Sequence, residues 1–560
     1  MAIVEQQILH KTIYDRSVLK KKVIHPLPST NVKKTRNTKS KPELERKLLV
    51  SLVMGQMKQQ QGLSMATLPG IQQDLSMTTL PGMGIAKYPP LYFNEDGFPL
   101  TNIQKSAYKN MLFKRYGENS LYYFRENPIH DKSVFIDGMP ILFMAPILGM
   151  TTFKDYVQFL LKTKVTKYFS QVKEVHICFD VPDIWNFNLK LNVQAKRDSK
   201  KQPVLPLDVQ EIIDSTQISN ARNWNDFLGN REDKRKLVLY MGKKILDLKD
   251  TIAKDCTLIV GGCFLQNETY RVTTGSNIVL PELNCNHEEA DTRMFAHAAW
   301  SKKNILQFVA TDTDVLAILL LNYETFSEKT TLIEYSGNRI WNISTLIESM
   351  NQDSDTDLAV LKSVRSVTIP FFFGIIHPLI GSDILCSPRG FGPSWIIKAC
   401  IDFSAYLFDE ENGLQHLKEK EPSSSCLESY VRFILAVFKK RYKNRIKMTT
   451  EEILGKNVNL NEVLDSVRKD VWIYTIENNT MIPSKECLEL RAQNLSFQLQ
   501  IWTQATKPII NVPEPKNLGW EDAEHGLKLT PDSKNNLEDQ AMLYKTIMKK
   551  CRCKKKIMPR

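Results

Sequence analysis

Two aspartates one residue apart, Asp312 and Asp314, follow a short apolar run in VATDTDVLAI. A carboxylate after a strand can do either of two things. It can cap the next helix, because Asp accepts hydrogen bonds from the free amides of a first turn. It can also hold a hard divalent cation, which prefers oxygen ligands. Alone, Asp312 fits both roles equally. Further acids at comparable positions change the balance. Asp137 closes SVFID, Asp180 closes VHICFD, Glu289 and Asp291 open a helical stretch in HEEADTR, and Asp383 follows an apolar run in IIHPLIGSD. Carboxylates gathered in one cleft repel one another and persist when cations neutralise them. Mg2+ or Mn2+ suits an all-oxygen site facing phosphate. Two such ions about 4 Å apart can stabilise both oxygens of a phosphodiester displacement.

Positioning these acids requires a sheet. Ser133–Ile136, Val175–Phe179, Leu258–Val260 and Ile305–Ala310 are short runs rich in Val, Ile and Phe. Helical-period stretches, notably Glu288–Trp300 and Val315–Leu321, lie between them. Strands alternating with helices predict a parallel α/β sheet covered on both faces. Ligands of such sheets gather beyond the carboxyl ends of the strands, where these acids fall. Residues 190 to about 255 are basic and interrupted, and read as helices inserted into this core. Beyond residue 405 come a helix bearing FKKRYKNRIK, a linker near Glu421–Ser425, a helical segment near Glu486–Thr503 and a Pro-rich stretch before the KKCRCKKK tail.

The chain has 560 residues, 42% hydrophobic and 24% charged, which is a globular composition with room for two or three domains. Its net charge of +13 points to a polyanionic partner, nucleic acid ahead of a membrane surface. Ten scattered cysteines without a CxxC pair predict reduced thiols and an intracellular location. No secretory signal is visible, and the apolar run Ile369–Ile380 is too short to span a bilayer. His176 and His297 read as core or surface residues, since carboxylate sites do not need them. Residues 1–125 read as a basic, flexible extension carrying NVKKTRNTKSK and the repeat SMATLPGI/SMTTLPGM. The predicted divisions are that extension, an α/β core over 126–405, a helical region over 406–510 and a basic tail over 511–560.

The motifs, taken in order, resemble the flap endonuclease family of structure-specific 5′ nucleases, which have a PIN-like core. SVFIDGMPILF and VHICFDVPD resemble its first two strands, with Asp137 and Asp180 as metal ligands. NLKLNVQAKRDSKK resembles the start of its helical gateway, which implies that Lys190 and Arg197 contact the scissile phosphate. HEEADTR aligns Glu289 and Asp291, and FVATDTDVLAI aligns Asp312 and Asp314. GSDILCSPRGFGPSWIIKAC resembles the last ligand, Asp383, leading into a helix–two-turn–helix over 381–405. Gly390 and Gly392 would let backbone approach a phosphate, beside Arg389. The resemblance covers about residues 130–405.

Three departures stand out: Asp291 where the family has Glu, with Glu288 as the compensating acid; a longer interval from Asp180 to Lys190; and the long N-terminal segment. The family implies a metal-dependent endo- or exonuclease with two Mg2+ or Mn2+ ions, acting in the nucleus on DNA in preference to RNA. Lys196, Lys200 and Lys201 join the expected nucleic-acid contacts. The alternative is an inactive nucleic-acid-binding or scaffold protein on the same fold. EEADTR, DTDVL, IWTQA and GWE also resemble a group of uncharacterised, multi-copy animal proteins associated with repetitive elements, many ending in a cysteine-rich tail.

Overall fold

The computed structural model describes residues 89–94, 99–100, 105–122, 131–181, 209–221, 224–335, 339–354, 356–364, 366–478, 480–523 and 526–530. One mixed sheet organises them. Its strands are β1 (Leu121–Tyr122), β2 (Lys132–Asp137), β3 (Glu174–Cys178), β4 (Thr257–Gly261) and β5 (Thr269–Thr273). They continue with β6 (Ser276–Val279), β7 (Ile305–Val309), β8 (Thr330–Tyr335) and β9 (Arg339–Asn342), in the spatial order β1-β9-β8-β7-β2-β3-β4-β5-β6. The five central strands, β8 to β4 in that order, are parallel, and antiparallel strands finish both edges. A separate hairpin pairs β10 (Trp520–Ala523) with β11 (Gly526–Leu529).

The described helices of eight residues or more begin with α1 (Lys105–Tyr116), α2 (Phe153–Leu160), α3 (Arg231–Leu246) and α4 (Ala290–Trp300). Next come α5 (Asp314–Leu321), α6 (Ile343–Asn351), α7 (Ile369–Ile380) and α8 (Pro393–Asp402). The C-terminal half adds α9 (Ser424–Arg441), α10 (Leu460–Glu477) and α11 (Lys485–Trp502). None of the described helices is long and apolar enough to cross a membrane.

Strand alternation divides the side chains between two cores. Val134, Ile136, Val175, Ile177, Leu258 and Val260 face one way and pack with apolar residues of α2 and α3. Phe135 and Phe308, register partners with rings 5.4 Å apart, face the other way and pack with α4, α5 and α7. This second core runs on into α8, α9 and α11. All twelve residues of α7 are buried, so this apolar run is a core helix. It lies close against α5, because a Cβ on Gly374 would meet Leu321 Cγ at 2.7 Å. All eight described cysteines are buried, free thiols.

The expected N-terminal extension needs correction. Residues 1–88 lie outside the described residues, but Leu91, Tyr92, Phe93, Tyr108, Leu112 and Tyr116 belong to the main core. β1 pairs with β9 at the sheet edge. In α1 the buried positions 108, 112 and 116 recur every four residues, which makes one apolar stripe. The basic residues around that stripe disguise it as a solvated segment. Of the stretch expected as a helical insertion, residues 182–208 lie outside the described set, residues 209–217 form bends and turns with a bridge from Gln217 to Thr152, and helix appears in the short Trp224–Gly229 and in α3.

At the amino ends of the strands, Glu174 Oε1 accepts hydrogen bonds from Ser133 and Ser301, both at 2.6 Å, and lies 3.1 Å from His176 Nε2. His176 and His297 meet through their Nδ1 atoms at 3.2 Å in the core. Burial alone would raise the Glu174 carboxyl, but the bonds from His176, Ser133 and Ser301 outweigh it and bring it to about 2. A carboxyl depressed on folding contributes stability above its unfolded pKa and loses it as pH falls through the folded one. Glu174→Gln should therefore cost about 1–3 kcal/mol at neutral pH. In urea melts that gap should close between about pH 5 and pH 2. A second variant tests the role of α1: Leu112→Ala should destabilise the fold by about 2–5 kcal/mol. An unchanged urea midpoint for this variant would return α1 to the status of an appendage.

Candidate metal centre

The chain runs β2→β3→β4 to one side of β2, then returns to place β7 and β8 on the other side. This reversal opens a crevice beyond the carboxyl ends of β2 and β7, the usual ligand position in an open α/β sheet. Asp137 is the last residue of β2, Asp180 follows β3 by two residues, and Asp312 follows β7 by three. The parallel pairing of these strands brings all three to the same edge.

Each acid is held by its own backbone surroundings. Asp137 is buried, and its Oδ1 accepts from the Met139 amide at 2.9 Å. Asp180 Oδ1 accepts from the Ala290 amide at 2.9 Å, so it caps α4 across the crevice. Glu289 is the N-cap residue of α4, with no capping bond from its own side chain, and Asp291 lies in the first turn. The loop before α4 is fixed from below. Buried Arg293 donates through Nη2 to the His287 carbonyl and to Asn267 Oδ1, both at 2.7 Å. Asp312 Oδ1 accepts from the Asp314 amide at 3.1 Å, which fixes this carboxylate just ahead of α5, although the N-cap position itself is Thr313.

Three of the predicted ligands converge. Asp291, Asp312 and Asp314 can each offer an oxygen, with all three within 4.8 Å of one another. Oxygens on one octahedral Mg2+ are about 3 Å apart when adjacent and about 4.2 Å when opposite, so the trio must draw together to share an ion. The donor set is all carboxylate, and Asp314 Oδ1 is buried without a hydrogen bond. The residues therefore fit a hard divalent ion. Asp137, Asp180, Glu289 and Asp383 stand outside this trio.

Two groups missed in the sequence border it. The ammonium of Lys105, from the start of α1, lies 2.9 Å from Asp314 Oδ2, 3.3 Å from Asp383 Oδ1 and 3.5 Å from Asp312 Oδ2. His377 Nε2, from α7, lies 3.4 Å from Asp314 Oδ1. Burial depresses His377 to about 3, which leaves a neutral imidazole. For Lys105, burial pulls the pKa down, but Asp314, Asp312 and Asp383 outweigh it and keep the ammonium charged. Burial and Asp312, aided by Asp383, lift Asp314 to about 7 against the pull of Lys105. A sequence signal existed for His377, a lone titratable residue in an apolar helix.

Lys190, Lys196, Arg197, Lys200 and Lys201 lie outside the described residues. Arg389 directs its guanidinium at the carbonyls of Pro90 and Phe93, at 2.9 and 3.1 Å. Its described contacts thus tie residues 89–93 to the turn before α8. Gly390 has φ +80°, and Arg441 hydrogen-bonds its carbonyl. Gly392 is the N-cap of α8, with open space where a Cβ would be.

No family model matches the chain, and no curated protein matches it. Among solved structures it is similar to the catalytic core of Rad2 in complex with DNA substrate. Identity is 12% and the TM-score 0.27, over 69% of this chain and 98% of that one. A TM-score of that size does not define a shared fold, so the site stands on its own geometry.

If the trio holds an ion, Mn2+ or Mg2+ at about a hundred times its Kd should stabilise the fold by about 2.7 kcal/mol. The rise in melting temperature should vanish in Asp312→Asn/Asp314→Asn. Asp314 keeps its proton up to about pH 7 in the metal-free chain, and an entering ion must displace that proton. The metal-induced rise should therefore shrink as pH drops below 7. A rise of equal size in the double variant would remove the trio as the binding site.

Proposed function

We propose that this chain is a divalent-metal-dependent nuclease of the flap endonuclease type, with a PIN-like core, hydrolysing phosphodiester bonds in nucleic acid. The observation that carries this reading is the convergence of Asp291, Asp312 and Asp314 at the switch-point crevice of a parallel sheet. When bound there, Mg2+ or Mn2+ supplies positive charge against the phosphodiester and acidifies water. The chain's own residues supply position. Asp312 and Asp314 are locked at the start of α5, and Asp291 at the start of α4. In this reading Asp137, Asp180, Glu289 and Asp383 serve as further ligands or water-holding groups. In this reading Lys190 and Arg197 offset charge on the scissile phosphate. Lys196, Lys200 and Lys201, with the turn at Arg389, Gly390 and Gly392, hold the strand. A net charge of +13 suits a nucleic-acid substrate, with DNA preferred and nuclear residence implied.

One observation favours a second reading, a nucleic-acid-binding protein that does not cleave. The Lys105 ammonium stands among Asp312, Asp314 and Asp383, and Asp291 is one methylene shorter than the glutamate of the family resemblance. Cleavage assays on flap, nicked and single-stranded DNA and RNA separate the two. The nuclease reading expects cleavage with Mg2+ or Mn2+, none in EDTA, and a loss of about 10²-fold or more in Asp312→Asn/Asp314→Asn. Binding that weakens with salt but never leads to cleavage supports the second reading.

A further inference from the structure

The resemblance implies two ions, with Asp312, Asp314 and Asp383 shared by one of them. The geometry offers that group another cation. Lys105 Nζ stands 2.9 to 3.5 Å from one oxygen of each of these three carboxylates, and its three N–H bonds match three acceptors. A divalent ion needs oxygens at about 2.0–2.1 Å, so no metal can sit at the point the ammonium holds, while Asp314 Oδ1, buried and without a hydrogen bond, stays available to an ion shared with Asp291 and Asp312.

Lys105 is also firmly anchored. Three, seven and eleven residues on, Tyr108, Leu112 and Tyr116 fix α1 in the main core. Tyr108 donates to the Phe373 carbonyl at 2.6 Å and packs edge-on against His377, 4.9 Å between centroids. Phe113 stacks on Trp341 at 4.0 Å. Three carboxylates surround its ammonium. The neighbouring Lys109 places its amine 3.8 Å from the Tyr335 ring and also feels the charge of Asp312.

We propose that Lys105 is the resident cation of the Asp312–Asp314–Asp383 group, and that the chain therefore holds one divalent ion, at Asp291, Asp312 and Asp314, instead of two. This rests on the reading of the trio as a metal centre and specifies its stoichiometry. Lys105 is then a positioning residue, holding the three carboxylates together without a second metal.

The test is a Mn2+ titration of the full chain, followed by calorimetry and electron paramagnetic resonance. Wild type should bind one Mn2+ per chain and show no exchange-coupled pair. Lys105→Met should bind two, with a coupled spectrum, and Lys105→Met/Asp383→Asn should return to one. Two ions on wild type overturn the proposal and leave the metal centre intact, and this measurement needs no variant to fold. A folded Lys105→Met, checked by circular dichroism, that still binds one ion also overturns it. If wild type binds no ion, the metal reading falls and the proposal falls with it.

Discussion

Like charge crowded at one edge of a sheet is the constraint around which this fold is arranged. Parallel pairing of β2, β3 and β7 brings Asp137, Asp180 and Asp312 to the same edge, and the starts of α4 and α5 add Asp291 and Asp314. Carboxylates in such a place would repel and protonate unless the structure opposed it. Backbone amides are the first answer: Met139, Ala290 and Asp314 each donate to one of these acids. Lys105 is the second. A divalent ion would be the third, and the trio has the donor chemistry for it.

The C-terminal helices keep this edge rigid. Asn322, at the end of α5, donates to the Trp502 carbonyl at the end of α11. Gly519, left-handed at φ +79°, lies so close to α11 that a Cβ would meet Asn494 Nδ2 at 2.7 Å. The IWTQA and GWE segments, prominent as sequence motifs, are thus buttresses of the helix carrying Asp314. Arg293 of HEEADTR does the same for α4. Trp502 of IWTQA also packs its ring 5.9 Å from that of His377, at the border of the site.

Strands β2, β3, β4 and β7 were legible because each is a short Val/Ile/Phe run buried on both faces. α11 was legible from its period. The edge strands were not: β5, TYRVT, and β6, SNIV, are half-exposed and polar, and resemble loop until pairing is known. β8, TTLIEY, is parallel and mostly buried, but its flanking threonines and glutamate hide it. In the site, the acids were visible because their chemistry needs little context. Lys105 was not, because a lysine among basic neighbours signals solvent, and its partners lie more than 200 residues away. The linker near Glu421–Ser425 turned out to hold the start of α9, with Ser423 as its cap.

That separation also bears on synthesis. Tyr108 docks on Phe373, 265 residues later in the chain. At ribosomal rates of about 5–20 residues per second, α1 waits on the order of tens of seconds before its partner exists. A chain not yet extended to Phe373 can already stack Phe113 on Trp341, but it lacks the Tyr108 anchor, so the full seating of a helix made early depends on one made much later.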